Sequence, residues 1–585
     1  MRAGVKMPGQ KCEEAIKSRN DNQEDMRTLD TSGAGFKGVI DADMLYIDKT
    51  LLVDDILRTN PRGVYLYTRP RRFGKSTNLT MLQEFFDIRS KGTHRFDGFE
   101  ISKPEYAKYD VHRNAYNVIK LNLKSWQAKT FDSFINAVEL AISGVVGDFE
   151  DSFDPDRISG PDARNLKLLM DDEANDKLLQ QSLYILCKCL YRSNGLRTVI
   201  LIDEYDAPVI REVDDETRRS IMDFLSEFLS AALKDNEYLQ LAVLTGIFQI
   251  AKESMFSNLN NVVVNNILSK KSDERYGFTE SEVRSILEEA EHPERFDDVK
   301  DWYDGYRFGN AEVYCPYSIV NYVLRGCEEP KSFSEGASAD YLLRQMLFKL
   351  GSESTTALAK LLNGETIEAN LSMALTFDNL TNMEGSVFSL LAMSGYLNAK
   401  EIEEGRFALS VPNKEKRSVL KQIVSDTMRK ESKSYEEFCK AVMDNDVEAM
   451  RSILERILLS KSALQLYHEN AYGLVVSMIL DKMPLYYDMQ IENEDGNGRS
   501  DIKLTSKDGS TANFIFELKR VDNEKDLEPA TEKALRQIHD RRYYAGMKGD
   551  VILYGISFWS KFPCIKSEVI NMERDWEKLR PAPDL

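Results

Sequence analysis

The chain has 585 residues, of which 42% are hydrophobic and 30% are charged, and its formal net charge is −19. At about 100–200 residues per domain, this length predicts roughly three to five structural units. The negative charge argues against a protein that coats nucleic acid, because phosphate binding depends on Lys and Arg, but it does not exclude a local basic groove.

The sequence also predicts where the protein works. No apolar run approaches the ~20 residues of a membrane-spanning helix, and the N-terminus lacks the apolar segment of a signal peptide. The seven cysteines are scattered and form no recognisable disulfide or zinc pattern. We therefore expect a cytoplasmic protein without membrane contact, whose polar residues 1–30 form a flexible tail.

The first chemical motif is a phosphate-binding loop between a strand and a helix. An apolar run, Val64 to Tyr67, precedes Gly74-Lys75-Ser76-Thr77, and an amphipathic run, Leu79 to Phe86, follows it. The N–H groups of such a loop and of the new helix favour an anion. Lys75 would add charge near the β- and γ-phosphates of a nucleotide, and Ser76 would offer its hydroxyl to Mg²⁺.

This loop departs from the usual pattern in one place. Arg69 stands where that pattern opens with glycine, and Pro70, Arg71 and Arg72 make the loop stiff and basic. The alternative to a nucleotide site is a basic turn that only caps the following helix.

A second motif favours the nucleotide site. The run Thr198 to Ile202 is apolar without alternation, as in a parallel strand covered on both faces. Asp203 and Glu204 follow it, at the strand end that faces the ligand crevice in such sheets. Asp203 would hold Mg²⁺, and Glu204 would polarise the attacking water as general base.

A third strand, Leu239 to Leu244, is followed by Thr245, which could sense the γ-phosphate. The predicted nucleotide contacts are Arg71, Arg72, Phe73, Gly74, Lys75, Ser76, Thr77, Asp203 and Thr245.

These motifs resemble the AAA-ATPase-like family of microbial proteins, over about residues 36–325. An arginine at position 69 is typical of that family, whereas the basic residue often found near Gln249 is missing here, which puts an arginine-like sensor at that point in doubt. The resemblance is carried by Tyr46-Ile-Asp-Lys-Thr50, Thr68-Arg-Pro-Arg-Arg-Phe-Gly-Lys-Ser-Thr77, Leu201-Ile-Asp-Glu-Tyr-Asp-Ala-Pro208, Leu244-Thr-Gly-Ile247, Ala251-Lys-Glu-Ser-Met-Phe-Ser257, Leu259-Asn-Asn261, Trp302-Tyr-Asp-Gly-Tyr-Arg-Phe308 and Tyr314-Cys-Pro-Tyr-Ser318.

The C-terminal region carries a different motif. Asp501 and the segment Asn513 to Lys519 read as parts of two strands joined by a Gly-containing turn. Glu517 and Lys519 share one face of their strand, and Asp501 can join them from its neighbour. Two carboxylates would bind Mg²⁺ or Mn²⁺, while the lysine could activate water and stabilise phosphate charge.

This arrangement resembles the PD-(D/E)XK nuclease superfamily, over about residues 460–560. The resemblance implies an extra metal-binding carboxylate, Glu469, and a polar helix position, Gln537. The alternative interpretation is a solvated cross-strand pair of opposite charges.

The predicted fold class is therefore α/β: a P-loop parallel sheet with a helical lid, a helical middle region and a C-terminal restriction-endonuclease-like α/β domain. Thr279 and Glu282 predict a capping box where the lid begins. The expected units are a tail (1–30), the ATPase-like domain (31–275), the lid (276–345), a helical linker (346–459), the nuclease-like domain (460–565) and a tail (566–585).

The function predicted from these features is an ATPase coupled to a metal-dependent nuclease-like domain that acts on DNA. The catalytic set would be Glu204, Asp501, Glu517 and Lys519, and the metal ligands Ser76, Asp203, Glu469, Asp501 and Glu517. The family resemblance implies mobile-element or defence biology. One alternative is a nucleotide-dependent switch that binds nucleic acid or protein without cleavage, and another is a protein-remodelling ATPase. Homo-oligomerisation and the arginine finger, for which Arg307 is a candidate, stay open.

Overall fold

The computed structural model describes residues 27–30, 33–210, 214–250, 262–333, 352–375, 387–428, 432–460, 469–480, 483, 487–495, 498–507, 509 and 511–575. Within these ranges, no helix is both long and apolar enough to cross a membrane.

The first half of the chain is built on a five-stranded sheet in which every pair of neighbours is parallel. All residues of β1, β3 and β4 are buried, because helices cover both faces of a parallel sheet. The sheet order is β2-β3-β4-β1-β6. The strands are β1 (Val64–Thr68), β2 (Asn117–Asn122), β3 (Thr198–Asp203), β4 (Leu239–Gly246), the short β5 (Gln249–Ile250) and β6 (Val262–Asn265).

Nine helices in the described residues accompany this sheet, and the parallel architecture confirms the predicted fold class. They are α1 (Gly35–Asp41), α2 (Leu52–Thr59), α3 (Lys75–Phe86), α4 (Phe131–Gly147), α5 (Pro161–Met170), α6 (Asp176–Gln180), α7 (Ser182–Asn194), α8 (Ala207–Ile210) and α9 (Asp215–Leu233).

The next segment, residues 276–333, has an apolar core of its own, which includes Val283, Val299 and Ile319. Its first helix begins with the predicted capping box, in which Thr279 and Glu282 satisfy each other's backbone N–H groups. The elements are α10 (Glu280–Glu289), α11 (Phe296–Tyr303), β7 (Tyr306–Phe308), β8 (Ala311–Val313) and α12 (Pro316–Leu324).

The middle of the chain differs from the helical linker expected over residues 346–459. It contains a three-stranded antiparallel sheet in the order β11-β12-β9, and its apolar residues, such as Leu391 and Leu409, join the core of the ATPase-like sheet. Sequence periodicity does not show which of two cores a short amphipathic element will join. The elements are α13 (Ser352–Leu362), β9 (Ile367–Asn370), β10 (Ala374–Leu375), α14 (Val387–Met393), β11 (Asn398–Glu403), β12 (Arg406–Ser410) and α15 (Lys414–Met428).

The last part of the chain is a five-stranded mixed sheet in the order β13-β14-β15-β16-β17, with only β15 and β16 parallel among its pairs. One face packs on α16–α18, and the other packs on α19. The elements are α16 (Ser432–Met443), α17 (Val447–Ser460), α18 (Glu469–Leu480), β13 (Tyr487–Asp495), β14 (Gly498–Ser506), β15 (Asn513–Arg520), α19 (Leu527–Arg541), β16 (Asp550–Trp559) and β17 (Phe562–Asn571).

This arrangement moves both expected boundaries of the C-terminal domain. Helices α16 and α17 share a core with the sheet, so the packed unit begins near residue 432 rather than 460. Strand β17 continues to Asn571, beyond the expected end at 565. The sequence did not reveal this packing, because contacts such as the one between the Tyr554 hydroxyl and the Val442 carbonyl oxygen join residues 112 positions apart.

Candidate ATPase and nuclease sites

The phosphate-binding loop lies between β1 and α3, as predicted. Gly74 adopts a left-handed conformation with φ 78° immediately before α3 begins at Lys75, a conformation that glycine adopts at no steric cost. The Lys75 Nζ atom donates to the carbonyl oxygens of Arg69 and Pro70, both at 3.2 Å. It also lies 3.8 Å from Glu204 Oε1. The ammonium group is therefore held over the loop.

Arg69 explains why the loop does without its usual first glycine. Its side chain is fully buried, and its guanidinium donates to the carbonyl oxygen and the side chain of Asn265 at the end of β6. The same group lies 5.0 Å from the ring centre of Tyr276. Arg69 thus ties the loop to the edge strand and does not line the cavity described below.

The carboxylate of Asp203 joins the loop to two strand ends. It accepts hydrogen bonds from the hydroxyl groups of Ser76 and Thr245, both at 2.5 Å, and from the N–H of Glu204 at 3.1 Å. A serine hydroxyl and a carboxylate in contact are suitable oxygen donors for Mg²⁺. Thr245 is fully buried and reaches this site through Asp203, because β4 lies between β1 and β3.

Glu204 follows Asp203 in a left-handed backbone conformation with φ 51°. A non-glycine residue with positive φ is uncommon, and such residues cluster at functional sites. This turn places Glu204 in the wall of the cavity described below. Its carboxylate is therefore positioned to face a ligand.

Sequence reasoning assigned no role to the next two residues, Tyr205 and Asp206. Both are fully buried. Asp206 Oδ2 accepts from the N–H groups of Ile247 and Phe248, and the Tyr205 hydroxyl donates to the Phe248 carbonyl oxygen. Burial, and then the charge of Glu204, raises the pKa of Asp206 to about 7. The two side chains hold the turn after Thr245. The sequence feature that could have revealed this role is the acidic residue Asp206 among apolar residues.

A cavity of about 320 Å³ opens above the loop. Its lining combines the loop and Glu204 with apolar side chains such as Val39, Phe278 and Val320. A phosphate chain and an aromatic base would need these two environments. The lining residues are Leu29, Asp30, Gly33, Val39, Leu45, Tyr46, Ile47, Lys49, Arg72, Phe73, Gly74, Lys75, Ser76, Thr77, Asn78, Glu204, Arg275, Gly277, Phe278, Pro316, Tyr317 and Val320.

The remaining predicted nucleotide contacts fall into three cases. Gly74–Thr77 and Arg72 line the cavity. Phe73 also lines it, but its ring packs in the core against Tyr306 and Phe308, with both ring centres 5.0 Å away. Arg71 lies outside the lining, so the prediction for its side chain receives no support from the cavity.

In the C-terminal sheet, β14 and β15 are antiparallel neighbours, as predicted. When the register of these strands is extended by one residue, Asp501 lies opposite Glu517. The Asp501 carboxylate accepts a hydrogen bond from the N–H of Leu518 at 2.7 Å. Lys519 Nζ donates to Glu517 Oε1 at 2.8 Å. Glu517 is 1% exposed, so a charged lysine beside it offsets the cost of burying a carboxylate.

Helix α19 completes this site. The Gln537 side chain donates to the Glu517 carboxylate and to the hydroxyl of Tyr543 at 3.1 Å. Asp501 and Glu517 could hold a divalent cation with water completing its shell, although no cluster of three or more His, Cys, Asp or Glu side chains occurs among the described residues. The backbone of Glu469 begins α18, but its side chain lies outside the described residues.

Comparison with known proteins agrees with both predicted domains. Residues 33–256 match the family model described as "Predicted AAA-ATPase". Residues 467–568 match the model of the PD-(D/E)XK nuclease superfamily. The chain therefore combines a parallel-sheet P-loop ATPase fold with a C-terminal mixed-sheet domain that matches the PD-(D/E)XK nuclease superfamily, which confirms both predicted resemblances.

Individual proteins also match this chain at low sequence identity. An "Uncharacterized protein in vnfD 5'region" of Azotobacter chroococcum is 23% identical over 558 residues, covering 88% of this chain and 93% of the relative. The Walker-type ATPase PABY2304 of Pyrococcus abyssi is 13% identical, with a TM-score of 0.34, over 64% of this chain and 94% of that one. The Aeropyrum pernix ORC1 protein, solved in complex with DNA, is 13% identical, with a TM-score of 0.26, over 65% of this chain and 91% of that one.

Proposed function

We propose that this protein binds and hydrolyses ATP with Mg²⁺ in the cavity above Gly74–Thr77 and thereby controls a metal-dependent cut in DNA at its C-terminal site. The observation that supports the proposal is the occurrence of two sets of reactive side chains in one chain. One set is Lys75, Ser76, Asp203 and Glu204, and the other is Asp501, Glu517 and Lys519.

At the ATP site, Ser76 and Asp203 would hold Mg²⁺, which neutralises charge on the phosphates. Lys75 is already directed over the loop and would approach the β- and γ-phosphates. Glu204 would orient and deprotonate the attacking water. Its 3.8 Å separation from Lys75 would let a γ-phosphate sit beside both groups. We further propose that residues 276–333, the lid segment, cover the nucleotide, because Phe278, Tyr317 and Val320 line the same cavity.

At the C-terminal site, Asp501 and Glu517 would hold Mg²⁺ or Mn²⁺, which supplies a Lewis acid for phosphodiester hydrolysis. Lys519 lies within hydrogen-bond distance of Glu517, so its ammonium group can stabilise charge on the phosphate. Gln537 would fix the orientation of Glu517. We place this activity in the cytoplasm, because the described cysteines form no disulfide.

Matched variants test the two sites separately. Glu204→Gln should bind ATP but lose turnover, because the amide cannot act as a base. Lys519→Met should retain ATP turnover and lose cleavage of plasmid DNA in Mg²⁺ or Mn²⁺. Lys525→Met, outside both sites, is the control for loss of one lysine. Wild-type protein that turns over ATP and cleaves no DNA would contradict the nuclease part.

One observation favours a second function, a nucleotide-dependent switch without cleavage. The Asp501 and Glu517 carboxylates already accept hydrogen bonds from the Leu518 N–H and from Lys519, respectively. A domain that keeps these bonds would bind DNA or protein without a metal. DNA binding by the wild type in EDTA, together with no cleavage in Mn²⁺, would support the switch.

A further inference from the structure

The segment Trp302-Tyr-Asp-Gly-Tyr-Arg-Phe308 stood out in the sequence, yet it contributes no group to either site. In the structure, its central turn is the docking point for the middle of the chain. Gly305 has φ 93°, and a Cβ atom there would overlap the carbonyl oxygen of Pro412. The Gly305 carbonyl oxygen accepts from the side chain of Asn398, whose own oxygen accepts from the N–H of Arg307 at 3.1 Å.

Helix α15 starts at this docking point. The Asn413 side chain accepts from the N–H of Lys416 at 2.9 Å, which is the bond of a helix N-cap. The same side chain donates to the carbonyl oxygen of Asp304 at 3.0 Å. One residue therefore begins the helix and fastens it to the lid segment.

Glu415, in the first turn of α15, makes a buried contact with the lid segment. It is fully buried, and its two carboxylate oxygens have different partners. Oε2 accepts from the hydroxyl of Ser318 on α12 at 2.8 Å, and Oε1 accepts from the N–H of Phe333 at 2.8 Å. A buried carboxylate is costly unless its hydrogen bonds are made, so this geometry is strongly specified.

Both partners of Glu415 lead directly to the nucleotide cavity. Ser318 lies between Tyr317 and Val320, which line the cavity. Phe333 accepts from the guanidinium of Arg72 at 2.7 Å through its carbonyl oxygen, and Arg72 lies 4.2 Å from the ring centre of Tyr317. Glu415 therefore contacts the lid segment directly and the phosphate-binding loop through Phe333.

Helix α15 precedes the C-terminal domain in the sequence. It ends at Met428, and α16 begins at Ser432. Helix α16 packs on the C-terminal sheet, where the carbonyl oxygen of Val442 accepts from the Tyr554 hydroxyl at 2.9 Å. Helix α15 is therefore followed, three residues later in the sequence, by the helix that packs on the sheet that carries Glu517.

We propose that Glu415 is a positioning residue that couples the nucleotide cavity to helix α15, the helix that precedes the C-terminal domain, by tying the lid segment and the phosphate-binding loop to it. The inference rests on the proposed function, since it requires a nucleotide in the cavity. A nucleotide that draws Arg72 or α12 toward its phosphates would pull Glu415 with them, and α15 would follow. The two hydrogen bonds of Glu415 are the mechanical link, and its charge strengthens both.

Hydrogen exchange of the full chain, with and without ADP and Mg²⁺, tests the link. In the wild type, ADP should slow exchange both in the loop, residues 69–77, and in α15, residues 414–428. Glu415→Ala should keep the slowing in the loop and lose it in α15. Glu415→Gln should resemble the wild type, because its carbonyl oxygen can accept from Phe333 and its amide can donate to Ser318. Glu404→Ala, on an exposed turn, is the control for loss of one carboxylate.

Ser318→Ala removes only the hydrogen bond to Glu415 Oε2, so it keeps the test valid if Glu415→Ala does not fold. It should reduce the ADP-dependent slowing of hydrogen exchange in α15 at least twofold. A wild type with slowing in the loop but none in α15 would overturn the coupling and leave ATP binding intact. Slowing in α15 that survives Glu415→Ala would overturn it as well. No slowing in the loop of the wild type would instead refute the proposed ATP site.

Discussion

Replacing Gly246 with alanine tests how tightly the end of β4 is packed against the ATP site. A Cβ atom at this position would lie 2.6 Å from Asp206 Oδ1 and 2.7 Å from two ring atoms of Tyr205. Both neighbours are fully buried and hydrogen-bonded to the following turn, so neither can move without breaking those bonds. Overpacking of this kind costs about 1–3 kcal/mol.

The expected result of Gly246→Ala is a melting temperature lower by about 2–10 °C for the ATPase domain. Turnover of ATP should fall about tenfold or more, because Glu204 directly precedes the displaced pair and a shift of 1 Å can cost that much. The assays are thermal unfolding and steady-state ATP hydrolysis on the same preparation.

Gly144→Ala is the matched control. Gly144 lies in α4 with no atom near its Cβ position, so alanine there should raise helix stability by about 0.5–1 kcal/mol and leave turnover unchanged. Equal melting temperatures and equal turnover for Gly246→Ala and the wild type would refute the packing described for Tyr205 and Asp206.

Three further predictions follow from buried contacts. The folded-state pKa of Asp206, about 7, exceeds its unfolded value of ~3.9, so between these pH values the folded chain binds more protons than the unfolded chain. The free energy of unfolding should therefore fall from about pH 5 to 7. Asp206→Asn should lose that pH dependence in denaturant titrations. Arg69→Gly restores the usual loop pattern yet should destabilise the ATPase domain by about 3 kcal/mol or more, and unchanged thermal unfolding would contradict this. Gly555→Ala would place a Cβ atom 2.5 Å from the Thr531 carbonyl oxygen; we expect displacement of α19, measured as faster hydrogen exchange in residues 527–541, and wild-type exchange would contradict it.

The elements that sequence reasoning placed correctly are those whose signals are local. The strand–loop–helix around Gly74, the strand before Asp203 and the β14–β15 pair each depend on hydrophobic period and on residues within about 20 positions. The facing of Asp501 and Glu517 follows from the same rule, since a strand's side chains alternate.

The contacts that it could not place join distant parts of the chain. Arg69 looked like a basic loop residue, because Asn265, its partner in β6, is 196 positions away. The role of Glu415 gave no signal in the sequence, because its partners Ser318 and Phe333 are 97 and 82 positions away. A buried polar group is recognisable only when its partners are known.

The most direct test of the central claim measures ATP hydrolysis and plasmid cleavage together, in Mg²⁺ and in Mn²⁺, for the wild type, Lys75→Ala and Glu517→Ala. We expect the wild type to do both and Glu517→Ala to hydrolyse ATP without cleaving. Lys75→Ala should lose hydrolysis and, because the sites are coupled, lose cleavage as well. Cleavage that survives Glu517→Ala, or cleavage by Lys75→Ala at the wild-type rate with ATP present, would contradict the account.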